Sequence, residues 1–148
     1  RDGTELGCAV QLAALIRQLD ENNYSCIIKN NDVTQSFTQR GVFDLHDLVA
    51  KKDEILKGGY IADKIVGKGA ASMMIIGGIK AVRTHVISQN ALNLLKEHNV
   101  IVHYDTVVET INNRTNIGMC PVETRVKDCT TLEQCWEQIQ QFVAENRH

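Results

Sequence analysis

A chain of 148 residues with a 43% apolar fraction suits one domain with its own core, and at that length roughly 68–70% of the unfolded surface can be buried without a disulfide or metal staple. Sixteen basic against eighteen acidic residues leave a net charge of −2 with no long block of either sign, which argues against a nucleic-acid partner and against an anionic membrane surface. Five cysteines (Cys8, Cys26, Cys120, Cys129 and Cys135) form an odd set without a C-x-x-C pair, so free thiols in a reducing compartment, the cytoplasm, are expected.

In chain order, "TELGCAVQLAALIRQLDENN" spaces Leu6, Val10, Ala13 or Ala14, and Ile16 or Arg17 as one helical face and ends on the turn-prone Asn22-Asn23. "YSCIIK" and "VTQSFTQ" flank Asn30-Asn31-Asp32, residues that tolerate the positive φ of a hairpin turn, so two antiparallel strands are predicted. "FDLHDLVAKKDEILKGG" gives a helix with Asp44 as its N-cap, broken by Gly58-Gly59. No apolar run approaches the roughly 20 residues of a membrane span. "RDGTELG" has no signal-peptide pattern, and an opening on Arg1 in place of methionine leaves the natural start open.

The stretch "ADKIVGKGAASMMIIGG", residues 62–78, reads as a buried helix, because Ile61, Val66, Met73, Met74, Ile75 and Ile76 leave no polar side at a helical period. Asp63, Lys64, Gly67 and Lys68 then stand at its head. Asp63 would share a face with Gly67, Ala70 and Met74, and Lys64 and Lys68 would lie one turn apart. "GKG" satisfies neither the phosphate-loop pattern nor the dinucleotide fingerprint. The charges can be plain helix-start and snorkelling groups, or they can reach a cleft where helix N–H groups favour an anion.

Farther on, "KAVRTHVI" is a predicted strand, "SQNALNLLKEHN" a helix capped by Ser88, and "VIVHY" a strand, together a parallel crossover; "TVVETI" adds a further strand. The single proline, Pro121, follows Cys120 where a polar loop gives way to a short helix, placing Cys120 at an N-cap where the dipole favours a thiolate. A small cysteine that merely packs is the simpler alternative. Thr130 and Glu133 form a capping box ahead of the last helix, which buries Leu132, Trp136, Ile139 and Val143. Asp63, Cys120 and Glu123 are too few and too poor in cysteine and histidine for a zinc site, so neither a metal nor another cofactor is expected. A single domain over residues 1–148 results, α/β in class, a three-layer α/β/α arrangement around a mixed sheet of about five strands.

This order of elements, with "RGVFDL", "ADKIVGKGAA", "ISQNALNLL" and "INNRTNIGMCPVE", resembles an uncharacterised family of domains of unknown function within the cytidine deaminase-like superfamily. Deaminases of that fold carry His-x-Glu or Cys-x-Glu at the buried helix and Pro-Cys-x-x-Cys at a later one, both holding zinc. "ADK" and "CPVE" stand in those places here, so the resemblance implies the fold and a cleft in the inherited position, and its departures point away from zinc-dependent deamination. Arg40 and Gly41 match the family pattern and would edge the cleft, a simple turn after the hairpin being the plainer alternative.

The expected function is a zinc-independent small-molecule site for an anionic or nucleotide-like ligand. Asp63 would serve as base or hydroxyl-orienting group and Cys120 as nucleophile, while Lys64, Gly67, Lys68, Arg114, Thr115, Pro121 and Glu123 would bind the ligand. Two alternatives remain: a transferase or hydrolase using Cys120 alone, and a noncatalytic binding or assembly module. A homo-oligomer is compatible with either.

Overall fold

The computed structural model describes residues 2–39, 42–111 and 121–146. The chain runs α1 (Asp2–Asn22), β1 (Cys26–Asn30), β2 (Val33–Phe37), α2 (Phe43–Ala50), β3 (Tyr60–Val66), α3 (Lys68–Gly77), β4 (Ala81–Ser88), α4 (Gln89–Glu97), β5 (Ile101–Val108), α5 (Pro121–Val126) and α6 (Leu132–Asn146). The five strands form one mixed sheet in the order β2-β1-β3-β4-β5. β1 is antiparallel to both of its neighbours, whereas β3, β4 and β5 are parallel and joined by helical crossovers, as parallel neighbours require. Helix α1 lies on one face and helices α2 to α6 are gathered on the other, so the sheet is the middle of three layers. Among the described residues, no helix is long and apolar enough to cross a membrane.

The principal core lies between the sheet and α2 to α6, built from Ile28, Ile61, Val66, Val82 and Ile87 against Leu45, Leu48, Met73, Met74, Leu95 and Ile139. Helix α1 covers the opposite face with Cys8, Leu12, Leu15, Ile16 and Leu19, set on Ile27, Ala62 and Ala81. This differs from the face expected around Val10, which is 60% exposed, because the small residues Ala13 and Ala14 mark the edge of the buried stripe and not its centre.

The largest departure from the sequence-based expectation concerns residues 62–78. Tyr60–Val66 is a central strand, Gly67 is an extended N-cap, and the helix begins only at Lys68. Apolar residues stand at adjacent positions of this strand, Ile61 with Ala62 and Ile65 with Val66, so it shows little alternation and merged with the apolar helix behind it into one apparent run. Asp63 and Lys64 therefore point to opposite sides of a strand, and the expected one-turn spacing of Lys64 and Lys68 does not exist. The helix closes on Gly78, whose φ of 88° is left-handed, with Ile79 N–H bonded to Met74 C=O.

Smaller shifts follow local chemistry. "VIVHY" and "TVVETI" are one strand, because Asp105 in its middle is held by Arg83 and His85 of β4 and does not break the pairing. Ser88 does cap α4, accepting from Ala91 N–H. The α2 N-cap is Val42; Asp44 lies inside the first turn, buried, accepting from the Gln39 side chain at 2.7 Å. At α6 the capping hydroxyl is that of Thr131, bonded to Gln134 N–H, while Gln134 Oε1 accepts from both the N–H and the hydroxyl of Thr130.

Candidate functional site

Helix α3 opens with N–H groups that no earlier turn can satisfy. Glu123, in the first turn of short helix α5, supplies the acceptors: its Oε1 takes the Lys68 N–H at 2.8 Å and its Oε2 takes the Gly69 N–H at 2.9 Å. The residue is only 8% exposed, so this carboxylate, 55 residues beyond Lys68 in the chain, is an interior bridge between two helices rather than a surface cap. The glycines of "GKG" exist for this contact. A Cβ at Gly67 would sit 2.5 Å from the Glu123 carboxyl carbon, and one at Gly69 would sit 2.7 Å from Val122 Cγ1.

Lys68 completes the joint from the other direction, its ammonium donating to the carbonyls of Lys127 at 3.3 Å and Cys129 at 2.6 Å as α5 ends. Three of the expected ligand-binding residues, Gly67, Lys68 and Glu123, thus meet, with their polar atoms committed to one another or to backbone. Pro121 begins α5, where its missing N–H costs nothing, and is exposed.

Asp63 and Lys64 are not part of this joint. The Lys64 ammonium crosses to the α1 side and donates to Asn23 Oδ1 at 2.7 Å. Asp63 stands inside the sheet, paired with Cys26 on one side and Thr84 on the other. Burial lifts its carboxyl from 3.8 to about 7, the backbone N–H groups of Ile65 and Lys64 pull it down, the charge of Asp44 pushes it up, and the Lys64 ammonium lowers it. Burial also raises the Cys26 thiol, with Asp63 and Asp44 adding to the effect. Cys120, Arg114, Thr115, Arg40 and Gly41 lie outside the described residues.

Beside the Glu123 joint, at the carboxyl ends of β4 and β5, opens a cleft of about 320 Å³. It is lined by Gln89, Asn90 and Asn93 from the first turns of α4, by Glu109, Thr110 and Ile111 after β5, and by Glu123 and Lys127. Asn90 Oδ1 accepts from the Ser88 hydroxyl at 2.6 Å and Asn93 Oδ1 accepts from Gln89 Nε2 at 3.0 Å. A second hollow, about 650 Å³, continues from Asn90 and Asn93 between α4 and the start of α6. Sequence reasoning passed over these carboxamides because they carry no motif; the usable signal was the position of Ser88-Gln89-Asn90 where a parallel strand hands over to a helix, the end of an α/β sheet at which ligands gather. Among the described residues, no group of three or more histidine, cysteine, aspartate or glutamate side chains is placed to hold a metal ion.

Fold and joint together define an α/β domain with a mixed five-stranded sheet and a carboxylate-closed helix head beside a cleft. Residues 14–143 match a family described as TM1506, a domain of unknown function (DUF1893), and the chain belongs to that family. It is also similar to the crystal structure of a DUF1893 family protein (TM1506) from Thermotoga maritima, with a TM-score of 0.80 at 23% sequence identity over 88% of each chain, a likeness of fold. No curated protein matches the chain.

Proposed function

We propose that the protein binds a small, hydrogen-bonding molecule of nucleobase or nucleoside type in the cleft at the carboxyl ends of β4 and β5, without a resident metal. The observation that carries this reading is the lining: three carboxamides and a threonine hydroxyl converge in a space of about 320 Å³, at the lower end of the range typical of small-molecule pockets. Carboxamides offer a donor and an acceptor side by side, the pattern that a heterocyclic base edge presents in return. With Glu109 and Glu123 against Lys127, the described lining carries one more negative than positive charge, which favours an uncharged ligand over the anionic one expected from sequence.

The resemblance to the deaminase-like fold supports the location and at the same time speaks against zinc. In that fold zinc lies between the heads of two helices; here the α3 head presents Gly67 and Gly69, which have no ligating side chain, and both Glu123 oxygens are taken by N–H groups. Among the described residues, the donor set does not fit the metal.

Thermal shift with nucleobases, nucleosides and nucleotides tests the reading. Wild type should be stabilised by a nucleobase or nucleoside, and Asn93→Leu, at an exposed α4 position, should abolish the response without lowering the unliganded Tm. A response to none of the three classes, or one that survives Asn93→Leu unchanged, defeats the proposal. Stronger stabilisation by nucleotides that is lost in Lys127→Ala would return the preference to an anionic ligand.

A further inference from the structure

The sheet has two edges, and they are unequally protected. β5 carries the charge of Asp105, of the kind that discourages edge-to-edge pairing. β2 carries none: from residue 33 to 39 the chain reads Val-Thr-Gln-Ser-Phe-Thr-Gln, without a charged residue or proline. Val33, Thr34, Gln35 and Ser36 are exposed, Val33 at 54%. An uncharged, solvent-facing edge strand is an unguarded template for another strand.

The hairpin register says which backbone groups are offered. Asn30 pairs with Val33 across the two-residue turn Asn31-Asp32, so this closing pair exchanges both of its hydrogen bonds. Alternation then directs the N–H and C=O of Val33, Gln35 and Phe37 toward β1, in keeping with Phe37 C=O accepting from Ser25 N–H at 2.7 Å. Thr34 and Ser36 turn theirs to the open side. An incoming antiparallel strand must bond through these two residues.

We propose that β2 is a homodimerisation edge, pairing antiparallel with β2 of a second copy about a twofold axis at Gln35, so that two five-stranded sheets become one of ten. This register sets Thr34 opposite Ser36 of the second copy, and Ser36 opposite its Thr34, as the hydrogen-bonded pairs. It aligns all five residues of the strand, whereas registers centred on Thr34 or Ser36 align only three. The side-chain pairs it creates are favourable ones: Val33 against Phe37, a β-branched residue on an aromatic ring; Thr34 against Ser36, hydroxyl to hydroxyl; and Gln35 against Gln35, amide to amide. A twofold brings any charge on such a strand close to its own copy, and here there is none to repel. That self-match selects a second copy of this chain over an unrelated extended peptide. A contact of one short strand lies below standard interface size, so the dimer should be weak, with Kd on the order of 100 µM.

Sedimentation from about 1 µM to about 1 mM should show a monomer passing to a dimer at the upper end. Gln35→Lys places two ammonium groups face to face on the axis and should hold the protein monomeric throughout, with its urea unfolding curve unmoved, since residue 35 is exposed. Gln35→Cys should form an intermolecular disulfide under mild oxidation, because a residue on the axis in a non-hydrogen-bonded pair meets itself at close range. Thr34→Cys, which faces Ser36, and the wild type should cross-link far less. A monomer across the whole range, a dimer indifferent to Gln35→Lys, or equal cross-linking at positions 34 and 35 would each overturn the assignment.

Discussion

Two carboxylates on the α2 to α6 side of the sheet, Glu123 and Asp63, are answered by backbone amides; two on the α1 side, Asp20 and Asp105, are answered by cationic side chains. Glu123 receives the N–H groups of Lys68 and Gly69 in the interior, and Asp63, half-buried in the sheet, has the amides of its own strand turned toward it. On the α1 side, His85 stands between Asp105, 2.6 Å from its Nδ1, and Asp20, 2.9 Å from its Nε2, with Arg83 2.8 Å from Asp105. Nearly half of each of these two aspartates is in water. The first arrangement is short of solvent and fixed in geometry. The second can lose a member and be rehydrated, so the two regions should respond very differently to mutation, pH and salt.

The largest effect is expected at the interior bridge. Glu123→Ala removes two charge-assisted hydrogen bonds and leaves helix-start amides buried, which should cost about 3 kcal/mol in urea unfolding. Gly67→Ala drives a Cβ into the same carboxylate and should cost about 2 kcal/mol. If they act on one contact, they cannot add: in the Glu123→Ala background, Gly67→Ala should cost almost nothing. Additive losses would mean that the glycine is required for another reason.

Next in size is Asp63. Its carboxyl rises from 3.8 to about 7 on folding, so between those values the folded state binds more protons than the unfolded one and stability falls as pH rises. The favourable contribution is complete below 3.8 and lost by passage through about 7. The loss is at most about 4 kcal/mol by linkage, and less to the extent that water reaches the half-buried residue. Asp63→Asn should flatten the stability profile between pH 4 and pH 7 and make the protein more stable than wild type at pH 8 by about 1–2 kcal/mol. An unchanged slope would show that the carboxyl keeps its ordinary affinity for protons.

Residues that signal locally were legible in the sequence, and residues placed by the sheet were not. Ser88 caps α4 because a hydroxyl and an N–H three residues on are all the motif needs. At α6 the segment Thr130-Thr131-Leu132-Glu133-Gln134 contains two overlapping capping patterns, Thr130 with Glu133 and Thr131 with Gln134, and composition alone does not choose between them. Gly67 and Glu123, both singled out in the sequence, meet where α3 begins, but Asp63 was misplaced because strand and helix formed one apolar run. The cleft was hidden for a different reason. Its walls come from α4, from the chain after β5 and from α5, and only the strand order brings those segments together.

The smallest effect, and the sharpest contrast with Asp63, belongs to His85. Hydrogen bonds donated to Asp105 and then to Asp20 raise its pKa above 6.5 against a small burial penalty, so it stabilises the fold fully below 6.5 and that contribution is lost as pH climbs through the raised value. Asp105 runs the opposite way: His85 and Arg83 hold it below 3.8, so its contribution is present above 3.8 and disappears as pH falls through the lowered value. The α1-side network is therefore complete only in the window between those two titrations. Since the His85 side chain is 35% exposed, His85→Gln should cost under about 1 kcal/mol at pH 6. The cost should shrink in 1 M salt, where the screening length falls to about 3 Å, while that of Glu123→Ala should not. Unfolding of wild type, His85→Gln and Glu123→Ala at low and high salt measures this directly; equal salt sensitivity would mean that the bridge between α3 and α5 is as wet as the surface network, and the division between the two sides of the sheet would be lost.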